Sequence, residues 1–310
     1  MTTETNKKKV NKHLIFFLVI LFLFIVAIIR LFIWNKGVAS GYDPNDITTE
    51  FDTEALDYIQ PLTASQLEGH EDDGVTTILA LGNSPFRENT YLIDALSESM
   101  DATIYNGSFA NSFQSMKNST YSSDYANDGV SLYEVVSAIT SNDYTTVNEA
   151  ASIMGGDAPA TANMLQEIDF ATIDMITIMY DLSDYIDLRP VYDPGDDTNL
   201  VTYSGALKAS IQLIQKAYPY IRIVVMSMPS CGKTVDGFYV DGDIYDLGNG
   251  TLTDYLLYEI DACSSTGVSI IDLYYGVIHV DNRDNYLYDD YFINEDGAKL
   301  IAERFATVIY

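Results

Sequence analysis

The stretch TTILALGNSPFREN, residues 76–89, has the residue types and order of a site for nucleophilic chemistry. An apolar run rich in β-branched residues ends in Gly82-Asn83-Ser84, and a helical pattern follows, which predicts that Ser84 lies just beyond the carboxyl end of a strand. Backbone amides at a helix start can polarise an oxyanion. A simpler role for Ser84 is the N-cap of a helix that begins near Phe86.

A serine hydroxyl is a weak nucleophile unless a neighbouring base takes its proton. The chain has three histidines, His13, His70 and His279. None of them has a spacing that places it beside Ser84. The identity of the base therefore decides whether Ser84 is a catalytic residue.

Five short β-branched runs alternate with longer segments of helical spacing, which predicts parallel strands joined by right-handed crossovers. The predicted strands are residues 75–81, 101–106, 173–180, 221–227 and 267–273. The clearest helical segments are residues 87–99, 131–141, 202–218, 251–262 and 294–309. The pattern indicates a three-layer α/β/α sandwich around a five-stranded parallel sheet. Ligands bind such sheets at the carboxyl ends of the strands.

Gly82-Asn83-Ser84 is similar to the Gly-Asp-Ser sequence of the SGNH/GDSL hydrolases, with Asn83 in place of Asp. These hydrolases are a flavodoxin-like family named after residues from four separate sequence blocks, of which Gly-Asp-Ser is the first. The resemblance covers residues 75–310. In the family, the last block reads Asp-x-x-His and is followed by Asn-x-x-Gly. Aligned on Asn294 and Gly297, this chain has Asp289 at the acid position and Phe292 at the histidine position. Phenylalanine accepts no proton, so the resemblance implies a lost base.

The two middle blocks also differ from the family pattern. Ala110-Asn111 stands where the family carries Gly-Gly, and Asp181-Leu182-Ser183-Asp184 aligns with Gly-x-Asn-Asp. In the family, that glycine amide and asparagine side chain form the oxyanion hole. Ser183 is shorter than asparagine, and Asp181 would add negative charge where the oxyanion develops. The predicted cleft positions are therefore Asn111, Asp181, Ser183 and Asp184.

Residues 14–34 form a 21-residue apolar run broken only by Arg30, and about 20 helical residues span a bilayer core. No cleavage site of a signal peptide is evident. We predict a cytoplasmic tail at residues 1–13, a transmembrane signal anchor at 14–34, a stalk at 35–74 and the domain at 75–310. Four lysines precede the run, so the positive-inside tendency predicts an extracellular domain.

The formal net charge is −29, which disfavours nucleic acid and other anionic polymers as partners. The segment SMPSCGKT, residues 227–234, ends like a phosphate-binding loop, but Ser227 replaces the first glycine and a turn-rich segment follows instead of a helix. The turn-rich segment that follows is better interpreted as a solvated hairpin or flap. Asp241, Asp243 and Asp246 match only half of a calcium loop, so we expect no metal and no cofactor.

The two cysteines, Cys231 and Cys263, have no metal-binding spacing, and the sequence leaves their pairing open.

Three functional hypotheses follow. The first is a membrane-anchored protein of the cell envelope with impaired or lost ester hydrolysis; the resemblance implies a membrane O-acyltransferase and a surface glycan as its partners. The second is an active acyl esterase or acyltransferase that uses His279 or Asp289 as a non-standard base. The third is a surface scaffold that binds cationic partners through its acidic face.

Overall fold

A central parallel sheet carries the candidate site. The computed structural model describes residues 55–70, 73–88 and 90–310. Five strands form the sheet, all parallel, in the order β2 (Ala102–Asn106), β1 (Thr76–Gly82), β3 (Met175–Met179), β4 (Arg222–Met226) and β7 (Ser269–Ile271). This is the flavodoxin-like strand order. The chain adds β2 on one side of β1 and then adds β3, β4 and β7 on the other side, so the switch point of the topology lies between β1 and β3. The predicted fold class is confirmed.

In the main sheet, the strands other than β2 are short, largely buried and rich in β-branched residues, as the sequence predicts. The described residues form nine strands. They are β1 Thr76–Gly82, β2 Ala102–Asn106, β3 Met175–Met179, β4 Arg222–Met226, β5 Gly232–Val235, β6 Phe238–Asp241, β7 Ser269–Ile271, β8 Leu287–Tyr288 and β9 Phe292–Ile293. The pairs β5–β6 and β8–β9 are antiparallel hairpins outside the main sheet.

The helices connect the strands and flank the sheet. They are α1 Ser84–Arg87, α2 Tyr91–Met100, α3 Leu132–Ser141, α4 Thr145–Met154, α5 Ala158–Glu167, α6 Ser183–Ile186, α7 Tyr203–Ala217, α8 Leu252–Thr266, α9 Arg283–Tyr286 and α10 Glu295–Ile309. The residues 126–130 and 170–172 form short 3₁₀ turns.

Side chains of β1 alternate between two hydrophobic cores, as the two-residue period of a strand requires. Ile78 and Ala80 pack with α2 and α10 on one face of the sheet. Leu79 and Leu81 pack with α3, α4, α5, α7 and part of α8 on the other. Both faces of the sheet are covered, which explains why its strands are nearly continuous apolar runs.

The residues 55–60 belong to the domain, although the predicted stalk included them. Tyr58 pairs with Ile270 in β7 through two backbone hydrogen bonds of 3.0 and 2.8 Å. The Asp57 carboxylate accepts a hydrogen bond from the Asp272 amide at 2.7 Å and forms an ion pair with Arg304. These contacts cover the β7 edge of the sheet, so the domain begins before residue 75.

The predicted anchor at residues 14–34 lies outside the described residues. Across residues 55–70, 73–88 and 90–310, no helix is both long and apolar enough to cross a membrane. Cys231 and Cys263 are both buried free thiols.

A buried acid in α8 gives the fold a pH dependence. Glu259 is 2% exposed and accepts a hydrogen bond from the Tyr203 hydroxyl at 3.0 Å. Burial raises the pKa of Glu259 from 4.5 to about 8, with smaller increases from Asp272 and Asp184. The folded state therefore holds a proton that the unfolded chain releases above pH 4.5.

We expect stability to fall as pH rises from about 4.5 to 8 because of Glu259, by at most about 1.4 kcal/mol per pH unit. Glu259→Gln cannot titrate, so its stability relative to the wild type should increase across this interval. Urea unfolding followed by circular dichroism at pH 5, 6.5 and 8 measures the difference. Parallel pH profiles for the two proteins would contradict the assignment.

Candidate active site

The carboxyl end of β1 approaches β3 closely, and this approach requires a glycine. A Cβ at Gly82 would lie 1.9 Å from the carbonyl oxygen of Met179 in β3. The chain then turns at Asn83, which is 1% exposed, and enters α1. The sequence GNS therefore places Ser84 at the carboxyl edge of the sheet, as predicted.

Asn83 and Asp181 form a reciprocal pair that joins the ends of β1 and β3. The Asn83 Nδ2 donates to Asp181 Oδ1 at 2.9 Å, and the Asp181 amide donates to Asn83 Oδ1 at 2.9 Å. Asn83 Nδ2 also donates to the Ser112 carbonyl oxygen at 2.9 Å. A carboxylate at position 83 could donate neither bond, so the amide of Asn83 fits the acid at 181.

The Ser84 hydroxyl donates its hydrogen bond to Asp181 Oδ2. Ser84 is the first residue of α1, and Asn83 stands at the N-cap without a side-chain capping bond. The alternative role of Ser84 as the N-cap is therefore wrong. Asp181 is 7% exposed and also accepts a hydrogen bond from the Ser183 amide at 2.9 Å, so the carboxylate that holds the serine is itself fixed by two other donors, Asn83 and Ser183.

Asp184 has a structural environment different from that of Asp181. It is 1% exposed, and its carboxylate accepts hydrogen bonds from the backbone amides of Gln114 and Ser115, at 2.9 and 3.0 Å, and from the Ser115 hydroxyl. Burial raises the pKa of Asp184 to about 6, and these hydrogen bonds oppose the increase. Asp184 therefore fixes the loop after β2 rather than facing Ser84.

Asn111 lies in that same loop with an exposed side chain. Its backbone has a positive φ of 58°, and its carbonyl oxygen accepts a hydrogen bond from Asn127 Nδ2 at 2.6 Å. Asn tolerates the left-handed region better than most residues, which explains a non-glycine residue at a position where the family has glycine.

The hairpin β8–β9 carries the positions that align with the family's acid and histidine. β9 packs against α1, the helix that begins with Ser84. The Phe292 ring contacts Tyr291 and Tyr288, with ring centroids 4.2 and 5.5 Å apart. Asp289 lies in the hairpin loop with a positive φ of 45° and is exposed. It does not cap α10, whose N-cap is Asn294.

Tyr291 and Lys233 also belong to this region, although no sequence motif marks them. Burial and the negative charges of Asp181 and Glu88 raise the pKa of Tyr291 to about 12. The Lys233 Nζ lies 5.3 Å from the centroid of the Tyr291 ring, within cation–π range. The Thr234 amide donates to Asp290 Oδ2 at 2.7 Å. These contacts bring the two hairpins together near Ser84.

Neither described histidine is a partner of Ser84. His70 stacks on Tyr220 at 4.4 Å between centroids and lies 3.7 Å from Asp174, which precedes β3. It is therefore at the opposite edge of the sheet. His279 forms all of its hydrogen bonds among the described residues with residues 281–283 in its own turn. His13 lies outside the described residues.

The turn-rich segment interpreted as a hairpin or flap contains part of the hairpin β5–β6, and no helix directly follows Lys233. Asp241 and Asp243 form ion pairs with Arg283. Asp246 accepts the amides of Gly248 and Gly250. Among the described residues, no group of three acidic, histidine or cysteine side chains has the arrangement of a metal site.

No family model matches the chain, and no curated protein matches it. One solved structure covers 77% of this chain and 98% of its own, at 17% identity and a TM-score of 0.56. A protein from Lactobacillus plantarum matches 75% of this chain and 95% of its own, at 18% identity and a TM-score of 0.50. A structure described as a GDSL-like lipase from Bacteroides ovatus matches 75% and 97%, at 11% identity and a TM-score of 0.45.

The chain has the five-stranded parallel α/β fold that the sequence predicts, and the first two of these solved structures share it. At these identities the likeness concerns the fold alone. Within this fold, the structure places Ser84, Asp181 and Ser183 in direct or shared hydrogen-bond contact and brings the hairpin that contains Phe292 onto α1. In this arrangement the Ser84 hydroxyl donates its hydrogen bond to a carboxylate, but a carboxylate is a poor base for a serine hydroxyl.

Proposed function

We propose that this chain is a membrane-anchored, extracellular protein of the cell envelope, with the SGNH fold and impaired or lost ester hydrolysis. It binds a surface glycan or helps a membrane O-acyltransferase to acylate one. The observation that supports the loss of hydrolysis is the hydrogen bond from Ser84 to Asp181. The anchor at residues 14–34 and both partners remain proposals from the sequence.

The electrostatics of the cleft oppose acyl transfer. Acyl transfer requires hydrogen-bond donors that stabilise the negative charge of the oxyanion as it develops. Here the Asp181 carboxylate occupies that region and takes the Ser183 amide as one of its own donors. Loss of a triad member costs about 10⁴-fold in rate, and loss of one oxyanion donor costs about 10² to 10³-fold.

The surroundings of Ser84 fit a neutral sugar better than an anionic one. Tyr288 and Tyr291 lie beside Phe292 and present aromatic surface, of which Tyr288 is 37% exposed. Aromatic faces pack well on the apolar faces of sugar rings. The net charge of −29 disfavours an anionic polymer at the same surface.

A second candidate is a slow esterase in which Asp181 acts as the base. The hydrogen bond from Ser84 favours Asp181 over His279 and Asp289, because geometry is the first requirement for proton transfer. Asp181 would take the proton as Ser84 attacks the ester carbonyl carbon, and it would return the proton to the leaving alcohol, which leaves the acyl group on Ser84. Water, with Asp181 again as the base, would then attack the acyl-serine, release the carboxylic acid and return the proton to Ser84.

Labelling with a fluorophosphonate separates the two candidates. For a lost active site, we expect no stoichiometric labelling of Ser84 within hours and no difference between wild type and Ser84→Ala in aryl acetate hydrolysis. Rapid labelling of the wild type that Asp181→Asn abolishes would instead establish the slow esterase. Thr90→Ala, an exposed hydroxyl beside α2, serves as the matched control.

A further inference from the structure

A cavity lies at the amino edge of the sheet, at the other end of the strands from Ser84. It has a volume of about 260 Å³. The segment 58–66 forms one wall, and the start of β4 and the turns that precede β4 and β7 form the rest. All of these residues belong to the domain that contains residues 53–310.

Arg222, the first residue of β4, gives this cavity a positive charge without a carboxylate partner. Its Nη1 donates to the carbonyl oxygen of Ile309 at 3.0 Å. In the described part of the chain, the other four arginines each have a carboxylate within 4.0 Å, and Arg222 has none. A half-buried cation in such an acidic chain is well suited to an anion that comes from outside.

Two glutamines add hydrogen-bond donors to the cavity. The Gln60 side-chain oxygen accepts from the Tyr58 hydroxyl at 3.3 Å. The Gln66 side-chain oxygen accepts from the Thr63 amide and hydroxyl at 2.9 and 2.8 Å. Since both oxygens are occupied, the two NH₂ groups are the polar atoms that these side chains offer to a ligand. No acceptor in the residues that the structure describes takes them.

Apart from Gln215, whose Nε2 donates to the Thr266 carbonyl oxygen at 2.9 Å, the rest of the lining is largely apolar. Leu62, Pro219 and Val268 form this part of the wall. At about 30 Å³ per water molecule, 260 Å³ accommodates roughly nine non-hydrogen atoms. A cavity of this kind fits a molecule with one anionic end and a small apolar body.

We propose that this cavity binds a small organic monocarboxylate. The carboxylate of the ligand binds the Arg222 guanidinium and accepts hydrogen bonds from the NH₂ groups of Gln60 and Gln66. The apolar body of the ligand packs on Leu62 and Pro219. The planar guanidinium matches the two oxygens of a carboxylate. One guanidinium balances one negative charge, which favours a monocarboxylate over phosphate. This site goes beyond the proposed function and does not depend on it.

Equilibrium dialysis of labelled benzoate against the full-length chain in detergent, with detergent alone as the blank, tests the proposal. We expect saturable binding of about one benzoate per chain, competition by hexanoate, and little competition by benzamide or inorganic phosphate. Arg222→Gln should weaken benzoate binding about ten- to a hundredfold, because it removes a charge-assisted hydrogen bond. Lys299→Gln removes an equal charge from α10 and should leave the affinity unchanged.

Unchanged affinity in a folded Arg222→Gln variant, or equal binding of benzamide, would overturn the proposal. If Arg222→Gln fails to fold by circular dichroism, Gln60→Leu provides the test. The backbone bonds of Gln60 to the Ser269 hydroxyl stay in place in that variant. We expect it to weaken benzoate binding roughly two- to tenfold, and an unchanged affinity there would equally overturn the site.

Discussion

The triple variant Phe292→His, Ser183→Asn and Asp181→Gly is expected to hydrolyse aryl acetates at least about a hundredfold faster than the wild-type chain. It restores the base and the oxyanion donors that the family alignment places at these positions. A triad base contributes about 10⁴-fold and an oxyanion donor about 10² to 10³-fold, and the contributions of one catalytic unit are not additive. A hundredfold gain is therefore a conservative threshold.

The structure gives each of the three substitutions a separate purpose. Position 292 lies in β9, which packs against the helix that begins with Ser84. Removing the Asp181 carboxylate releases the Ser84 hydroxyl from its present acceptor and removes negative charge from the oxyanion region. Asparagine at position 183 adds a side-chain amide where serine is too short to reach. Asp289 lies three residues before position 292 in the same hairpin and is the acid available to orient a new histidine.

Rates of aryl acetate hydrolysis at pH 8 measure the gain. The same triple variant with Ser84→Ala should return to the background rate. Phe292→His alone should gain little, because Asp181 still holds the Ser84 hydroxyl. A folded triple variant with no gain would show that the blocks are misaligned on this sequence.

The parallel sheet could be predicted because its signal is local. Each of the five predicted strands overlaps an observed strand of the main sheet, with ends that differ by two residues or fewer. Buried parallel strands are short β-branched runs, and the helices between them show the 3.6-residue period. The hairpin β5–β6 was also predictable, since Asp236-Gly237 stands between its two strands and both residues have positive φ.

The pairing of Asn83 with Asp181 could not be predicted, because it joins residues 98 positions apart. When each sequence block is compared with the family, Asn83 in place of Asp and Asp181 in place of Gly look like two independent losses of catalytic features. In the structure they are one arrangement, since an amide at position 83 can donate to a carboxylate at position 181 and a second carboxylate could not. Tyr291 and Lys233 were missed for a related reason, because only the contact of two hairpins brings them together.

The segment 55–60 shows a different limit of sequence reasoning. Ala55, Leu56, Tyr58 and Ile59 are apolar, but the segment is too short to show a strand or helix period. It is attached to β7 by the backbone bridge at Tyr58 and by the bonds of the Gln60 backbone to the Ser269 hydroxyl, and Asp57 forms an ion pair with Arg304 in α10. Contacts of this kind leave no periodic signal, so the segment is assigned to the stalk from the composition of the longer stretch 37–74, which mixes Gly, Asp, Thr and Pro.

Asn83→Asp is expected to destabilise the domain by about 3 kcal/mol at pH 7. The substitution removes the amide that donates to both Asp181 and the Ser112 carbonyl oxygen. It also places a second carboxylate about 2.9 Å from the first at a position that is 1% exposed. Ionising both carboxylates at this distance costs electrostatic repulsion, so the pKa of one of them is raised.

The pH dependence of this variant follows from that raised pKa. A proton shared between positions 83 and 181 stabilises the folded state at low pH, and this stabilisation is lost as pH rises through the raised pKa. We therefore expect the deficit relative to wild type to be smallest near pH 4 and largest above pH 7. Asn148→Asp, the same change at an exposed position of α4, should alter stability by less than about 0.5 kcal/mol.

Urea unfolding at pH 4, 5.5 and 7.5, followed by circular dichroism, measures both variants and the double variant Asn83→Asp with Asp181→Asn. The double variant exchanges the amide and the carboxylate and so keeps one donor facing one acceptor across the pair. It should recover at least about half of the loss, since residues in direct contact do not contribute independently. A loss that is the same at every pH, or one that the exchange does not reduce, would mean that Asn83 acts through its shape rather than through the charge of Asp181.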